Sequence, residues 1–133
     1  MQKRALAVHD ISCVGRCSLT VALPVLSSMG LQCSVLPTAV LSTHTGFPGG
    51  KTVDMTAHIG DFLAHWQALN VHFDAVLCGY LAGPAQAEAV IPVLEHFRQR
   101  KKLLILARII IHTINIAFIG CIPFFPVGQQ VKL

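Results

Sequence analysis

Three short apolar runs, residues 4–9, 31–37 and 73–78, each lead into a polar segment that contains glycine. Each polar segment then gives way to a stretch of helical character. Strand, loop and helix repeated in this order specify a parallel sheet, because parallel neighbours need a long crossover and a helix supplies it. The sequence therefore predicts an α/β fold. Composition sharpens this reading: 53% of the 133 residues are hydrophobic and 12% are charged. An average soluble domain carries roughly 25% charged residues, so a sheet buried on both faces is expected rather than one with a wet face. A chain of this length is long enough for one domain with a real core.

The helices can be placed from spacing and punctuation. Leu19, Ala22, Leu23 and Leu26 recur at helical intervals, with Ser18 as the expected N-cap and Gly30 as the stop. Pro24 lies inside that stretch and predicts a kink. Ile59, Phe62, Leu63, Trp66 and Leu69 form one apolar face over 56–69, with Asp54 or Thr56 as the cap and Trp66 in the core. Pro84 suits the first turn of a third helix running toward Arg100, bent or restarted at Pro92.

Charge is divided unevenly. Residues 1–97 hold four basic and six acidic residues, a net of −2, whereas residues 98–133 hold six basic residues and no acid. The body lacks a basic face with aromatic or polar partners, which argues against nucleic-acid binding. Five cysteines, at 13, 17, 33, 78 and 121, follow no secretory leader in this sequence, so reduced thiols in a cytoplasmic protein are expected. Cys13 and Cys17 have no second Cys/His pair at a zinc-like distance and are read as small core thiols.

In parallel α/β sheets, ligands bind beyond the carboxyl ends of the strands. Segments 10–17, 43–50 and 79–83 stand there, and they nominate Asp10, His44, Thr45 and Tyr80. Each also has a plain structural reading. Asp10 can be a loop or capping residue, His44 and Thr45 turn formers, and Tyr80 packing after a strand. His58, His65, His72, His96 and His112 show no ligand-like arrangement.

The runs AVHDISCVGRCSLTVALPVLSSMG, LPTAVLSTHTGFPG and HFDAVLCGYLAG, in this order, resemble the pyridoxal/pyridoxamine (vitamin B6) kinases of the ribokinase-like superfamily over residues 4–97. The resemblance implies a ribokinase-like three-layer parallel sheet flanked by helices, here truncated. It implies ATP-dependent phosphorylation of the 5′-hydroxymethyl group of pyridoxal, pyridoxine or pyridoxamine, a need for Mg²⁺, and a homodimer. Asp10 falls where the family sets a polar residue against the pyridine ring. His44 and Thr45 fall in the ring-contacting motif, Tyr80 on the pocket border, and Phe47 to Gly50 in a mobile flap. A pyridine ring with polar substituents suits a few convergent polar atoms and an aromatic wall. Alternatives are a non-catalytic fragment that binds the vitamin or a partner, and a hydroxymethylpyrimidine kinase.

The resemblance ends after about Gln99. Family members continue with an Asp-Pro motif near the metal and a Gly-x-Gly-Asp segment that holds the phosphoryl group, and neither occurs here. Residues that bind ATP and Mg²⁺ are therefore not expected in this chain, and no catalytic residue is assigned. The division expected is 1–100, a vitamin-binding part, and 101–133, a divergent apolar, basic tail. That tail has three readings: a foreign sequence from a frameshift or gene truncation, a native fourth strand at LLILARIII, or a membrane anchor over 103–122, the last opposed by Arg108, His112 and Asn115. On the first reading, strand 73–78 is left as an unpaired apolar edge.

Overall fold

The computed structural model describes residues 2–98, 104–109 and 118–121. The chain runs β1 (Arg4–Ser12), α1 (Leu19–Ser28), β2 (Gln32–Leu41), β3 (Thr52–Asp54), α2 (Thr56–Ala68), β4 (Ala75–Cys78), α3 (Pro84–Arg98), β5 (Leu104–Ile109) and β6 (Phe118–Cys121). These strands form one sheet in the order β3-β2-β1-β4-β5-β6. Its four inner strands are parallel, as the strand–helix order requires, while β3 on β2 and β6 on β5 are antiparallel. The sheet is therefore mixed rather than wholly parallel. The two antiparallel edge strands are only 3 and 4 residues long, and short edge strands limit sheet-to-sheet association.

Strand alternation separates the two faces. Leu6 and Val8 of β1, Leu36 of β2, and Val76 and Cys78 of β4 pack with Ile59 and Leu63 of α2 and with Val90, Val93 and Phe97 of α3. Phe73 meets Phe97 edge-on at 4.8 Å between ring centroids, and Trp66 borders both rings at 6.1 and 6.4 Å. Trp66 is half-buried and packs against the core from the apolar side of its helix. Phe62 and Leu69, expected on the same apolar face, remain exposed. The opposite face of the sheet carries α1 and is more thinly covered, with Val21, Val25 and Met29 exposed. Burial around Cys78 pushes its thiol up to about 11, so it stays a neutral core group.

Helix ends follow their local chemistry. Past α1, Gly30 at φ +80° donates to Ser27 O while Leu31 donates to Leu26 O. Past α2, Asn70 at φ +52° donates to Gln67 O while Val71 donates to Trp66 O. Both are Schellman closures, which satisfy the last free carbonyls of a helix. Asp54 accepts the Thr56 N–H at 2.7 Å, and its bonds with Thr56 hold the carboxyl below its usual value. Neither Pro24 nor Pro92 ends its helix, since α1 and α3 run through them.

Of the tail's three readings, residues Leu104–Ile109 take the strand form. They pair in parallel with β4 from Ala75↔Leu104 to Cys78↔Ala107. The expectation of an open β4 edge is corrected accordingly, because β5 occupies it. Residues 99–103, 110–117 and 122–133, which hold half of the proposed membrane segment, lie outside the described residues. Among the described residues no helix is long and apolar enough to cross a membrane.

Candidate functional site

Near the end of β1 its register with β2 shifts, and Thr38 and Ala39 of β2 stand opposite Asp10 alone, a bulge in β2. Beside this bulge Asp10 and Ser12 of β1 meet the N-terminal segment of α1 through Ser18 and Cys17. Asp10 is 4% exposed, and Ser18 Oγ donates to its Oδ1 at 2.7 Å. Ser12 Oγ lies 3.5 Å from Oδ2 and in turn accepts from Cys17 Sγ at 3.3 Å. A buried carboxylate needs such donors, since an unpaired one carries a large desolvation penalty.

Ser18 occupies the N-cap position of α1 but does not cap with its side chain. Its hydroxyl is committed to Asp10 instead. Ser18 also has φ 57° and ψ −129°, a region that non-glycine residues rarely occupy. The backbone strain and the diverted hydroxyl mark this turn as organised around Asp10 rather than around the helix.

His9 Nδ1 lies 2.8 Å from Asp10 Oδ1 and 3.0 Å from the Asp10 backbone nitrogen. These two contacts ask opposite things of Nδ1. An ionised carboxylate only accepts, so a bare Nδ1 lone pair facing it would be repulsive. The charge-assisted bond from Nδ1–H to Oδ1 is the stronger choice and fixes the tautomer. The other edge of the ring lies over Gly79, the first residue after β4. A Cβ built on Gly79 would stand 1.9 Å from His9 Cδ2 and 2.1 Å from Nε2. Gly79 is therefore the space that the imidazole fills.

An open cavity of about 400 Å³ sits on the α1 side at the carboxyl ends of β1 and β4. Its polar wall comes from His9, Ser18 and Tyr80, and its apolar wall from Val21, Val25 and Leu77. Asp10 lies behind this wall, holding His9 and Ser18. Of the residues nominated from sequence, the structure thus brings Tyr80 to the cavity and Asp10 immediately behind it.

His44 and Thr45 lie elsewhere, in the turn between β2 and β3. The His44 ring covers Gly15, whose added Cβ would stand 2.1 Å from Cδ2, and it meets Phe47 at 4.7 Å between centroids. His44 Nδ1 accepts the Gly46 N–H at 3.0 Å, and the His44 N–H donates to Val14 O at 3.0 Å. The ring thus fastens the 42–50 turn to the 12–17 loop. Thr45 is exposed on that turn, and so is Phe47.

Gln86, in the first turn of α3, was not singled out from sequence. It is 3% exposed, donates to Thr38 O at 2.8 Å and Thr56 Oγ1 at 3.1 Å, and accepts the Ala82 N–H at 2.9 Å. One amide so joins β2, the start of α2 and the loop after β4. Cys13 is exposed, and among the described residues no three of His, Cys, Asp and Glu converge to hold a metal ion.

With this geometry in place, similarity to known proteins becomes informative. No family model matches the chain. The curated pyridoxine/pyridoxal/pyridoxamine kinase of Bordetella pertussis is 36% identical over 81 residues, covering 57% of this chain and 28% of that protein. A Bacteroides thetaiotaomicron protein assigned as a phosphomethylpyrimidine kinase, crystallised with pyridoxal, superposes with a TM-score of 0.75 at 47% identity. The match covers 79% of this chain and 36% of that one. This chain is pyridoxal kinase-like, similar to the N-terminal part of such proteins in sequence and fold. The pyridoxal kinase of Lactobacillus plantarum agrees, with a TM-score of 0.68 and 33% identity over 82% of this chain and 37% of that one. The pyridoxal kinase-like chain described here thus spans little more than a third of the length of the solved structures it matches.

Proposed function

We propose that this chain carries the vitamin-recognising part of a B6 kinase, whose whole enzyme uses ATP and Mg²⁺ to phosphorylate the 5′-hydroxymethyl group of pyridoxal, pyridoxine or pyridoxamine. The observation that carries the reading is the cavity beyond β1 and β4, where Tyr80 faces His9 and Ser18, both held by buried Asp10. An aromatic wall beside a few convergent polar atoms suits a substituted pyridine ring. Asp10, His44, Thr45 and Tyr80 are the substrate-side residues, with Asp10 and His44 acting through the groups that they position. A cytoplasmic homodimer, and a boundary near residue 100 between this part and a divergent tail, belong to the same proposal.

Phosphoryl transfer depends on positioned cations and donors around the phosphate oxygens. Among the described residues no three of His, Cys, Asp and Glu converge to hold such an ion. The reading predicts recognition without turnover. Titration calorimetry with pyridoxal and with a hydroxymethylpyrimidine, beside an ATP-coupled assay, tests it. Saturable pyridoxal binding with turnover far below ~1 s⁻¹, the low end of ordinary enzyme rates, is expected. Absence of binding would refute the vitamin site, and turnover near ~1 s⁻¹ would refute the assignment of no catalytic machinery. The similarity to the Bacteroides protein favours a second reading, a hydroxymethylpyrimidine kinase. A preference for the pyrimidine in the same titration would establish that one instead.

A further inference from the structure

His9 is unclaimed by the reading of the motifs, yet it is placed as a ligand-contacting group. Its Nδ1–H is spent on Asp10 Oδ1 at 2.8 Å, which leaves the Nε2 lone pair as the ring's other polar atom. Among the described residues Nε2 has no hydrogen-bond partner, and the side chain is 20% exposed where it lines the cavity. The Cδ2–Nε2 edge rests over Gly79, so the ring cannot turn away from Tyr80 without losing both its anchor and its seat. Asp10 is shared with Ser18 Oγ at 2.7 Å, so one carboxylate orients two polar groups toward one space.

We infer that His9 Nε2 accepts a hydrogen bond from the ligand in this cavity, and that Asp10 is its positioning residue rather than a ligand contact. The partner is a donor on a heteroaromatic ring, either a ring hydroxyl or a protonated ring nitrogen. The ≈ 400 Å³ of space between the Tyr80, Val21, Val25 and Leu77 walls admits such a ring. The other titratable groups lining the cavity are Cys78 and Tyr80, with Asp10 behind. This inference rests on the vitamin reading, so its test separates the two.

Two substitutions divide the imidazole's duties. His9→Asn places an amide N–H near Nδ1 and can keep the bond to Asp10, but removes the acceptor at Nε2. His9→Gln reaches toward the Nε2 position and gives up the anchor. Calorimetry on the full chain, with pyridoxal and with 3-deoxypyridoxal, provides the readout. His9→Asn is expected to weaken pyridoxal binding by about tenfold, the upper end for one neutral hydrogen bond, with a cooperative thermal transition retained. If the ring hydroxyl is the donor, 3-deoxypyridoxal binds the unmodified chain and His9→Asn equally. If the ring nitrogen is the donor, the substitution weakens both ligands alike. Equal pyridoxal binding by the two proteins would overturn the inference and leave the vitamin reading standing. No pyridoxal binding by the unmodified chain would overturn the reading and the inference with it. An independent arm needs no variant: ¹⁵N spectra of the unmodified chain should show the Nδ1–H tautomer for the neutral His9 ring. The opposite tautomer would refute the arrangement outright.

Discussion

Gly79 has no positive φ, so conformational freedom does not explain why it is glycine. The imidazole of His9 does, because it occupies the volume that a Cβ would need. Gly15 differs, combining φ +103° with the ring of His44 overhead. Gly79→Ala should therefore destabilise the fold by about 1–3 kcal/mol, the usual range for overpacking, and His9→Ala on that background should recover most of the loss. Thermal melts of the two single variants and the double variant check this; additive losses would show that the ring is not what opposes a Cβ at position 79. The Gly-Tyr motif was legible as a strand-end feature, but its reason was not. His9 read as the last residue of an apolar run, and only alternation with Ala5 and Ala7 hints that it shares their face of the sheet. Ser18 read as a helix cap because local sequence cannot reveal a buried carboxylate eight residues earlier competing for the hydroxyl.

Among elements, the long, periodic ones were legible and the short edges were not. β1, β4 and all three helices announce themselves through apolar spacing and punctuation. β3 is three exposed residues whose strand state comes from pairing with Ala39–Leu41, a partner no local pattern encodes. The strand expected over 31–37 also runs on to Leu41, across a break in its ladder with β1 at Thr38 and Ala39, both buried. What secures the site's elements against one another is Gln86, a polar residue in the first turn of α3. Gln86→Leu keeps much of the volume but leaves Thr56 Oγ1 and the Ala82 N–H to find new partners, while Thr38 O keeps only the Met55 N–H at 3.0 Å. Buried groups so orphaned cost about 1–3 kcal/mol each, so a loss of at least about 2 kcal/mol in denaturant unfolding is expected. A change under about 0.5 kcal/mol, the range of a neutral surface substitution, would show that the clamp is dispensable.

For the molecule as a whole, the two faces of the sheet are unequal. The α2–α3 face holds the aromatic and aliphatic core, while the α1 face holds the cavity and leaves Val21, Val25 and Met29 exposed. Chain order sets this asymmetry: one crossover lies on one side and two lie on the other. The Asp74 carboxylate bonds Lys3 Nζ at 2.8 Å and the Arg4 N–H at 2.9 Å, tying the starts of β1 and β4 at the end of the sheet away from the cavity. Fold and cavity thus occupy opposite ends of the same two strands. The α/β class and the strand-end location of the site were legible because strand order dictates both. The packing of the His44 ring on Gly15 was not legible, because it joins two loops far apart in the sequence. The account's central claim is that the space bounded by His9, Ser18, Gly79 and Tyr80 recognises the vitamin. Titrating pyridoxal into the ¹⁵N-labelled chain and following backbone amide shifts tests it most directly. The claim predicts saturable shifts concentrated at those four residues and at Asp10, with α2 and the outer surface of α3 unmoved; shifts confined to the α2–α3 face, or none at millimolar pyridoxal, would contradict it.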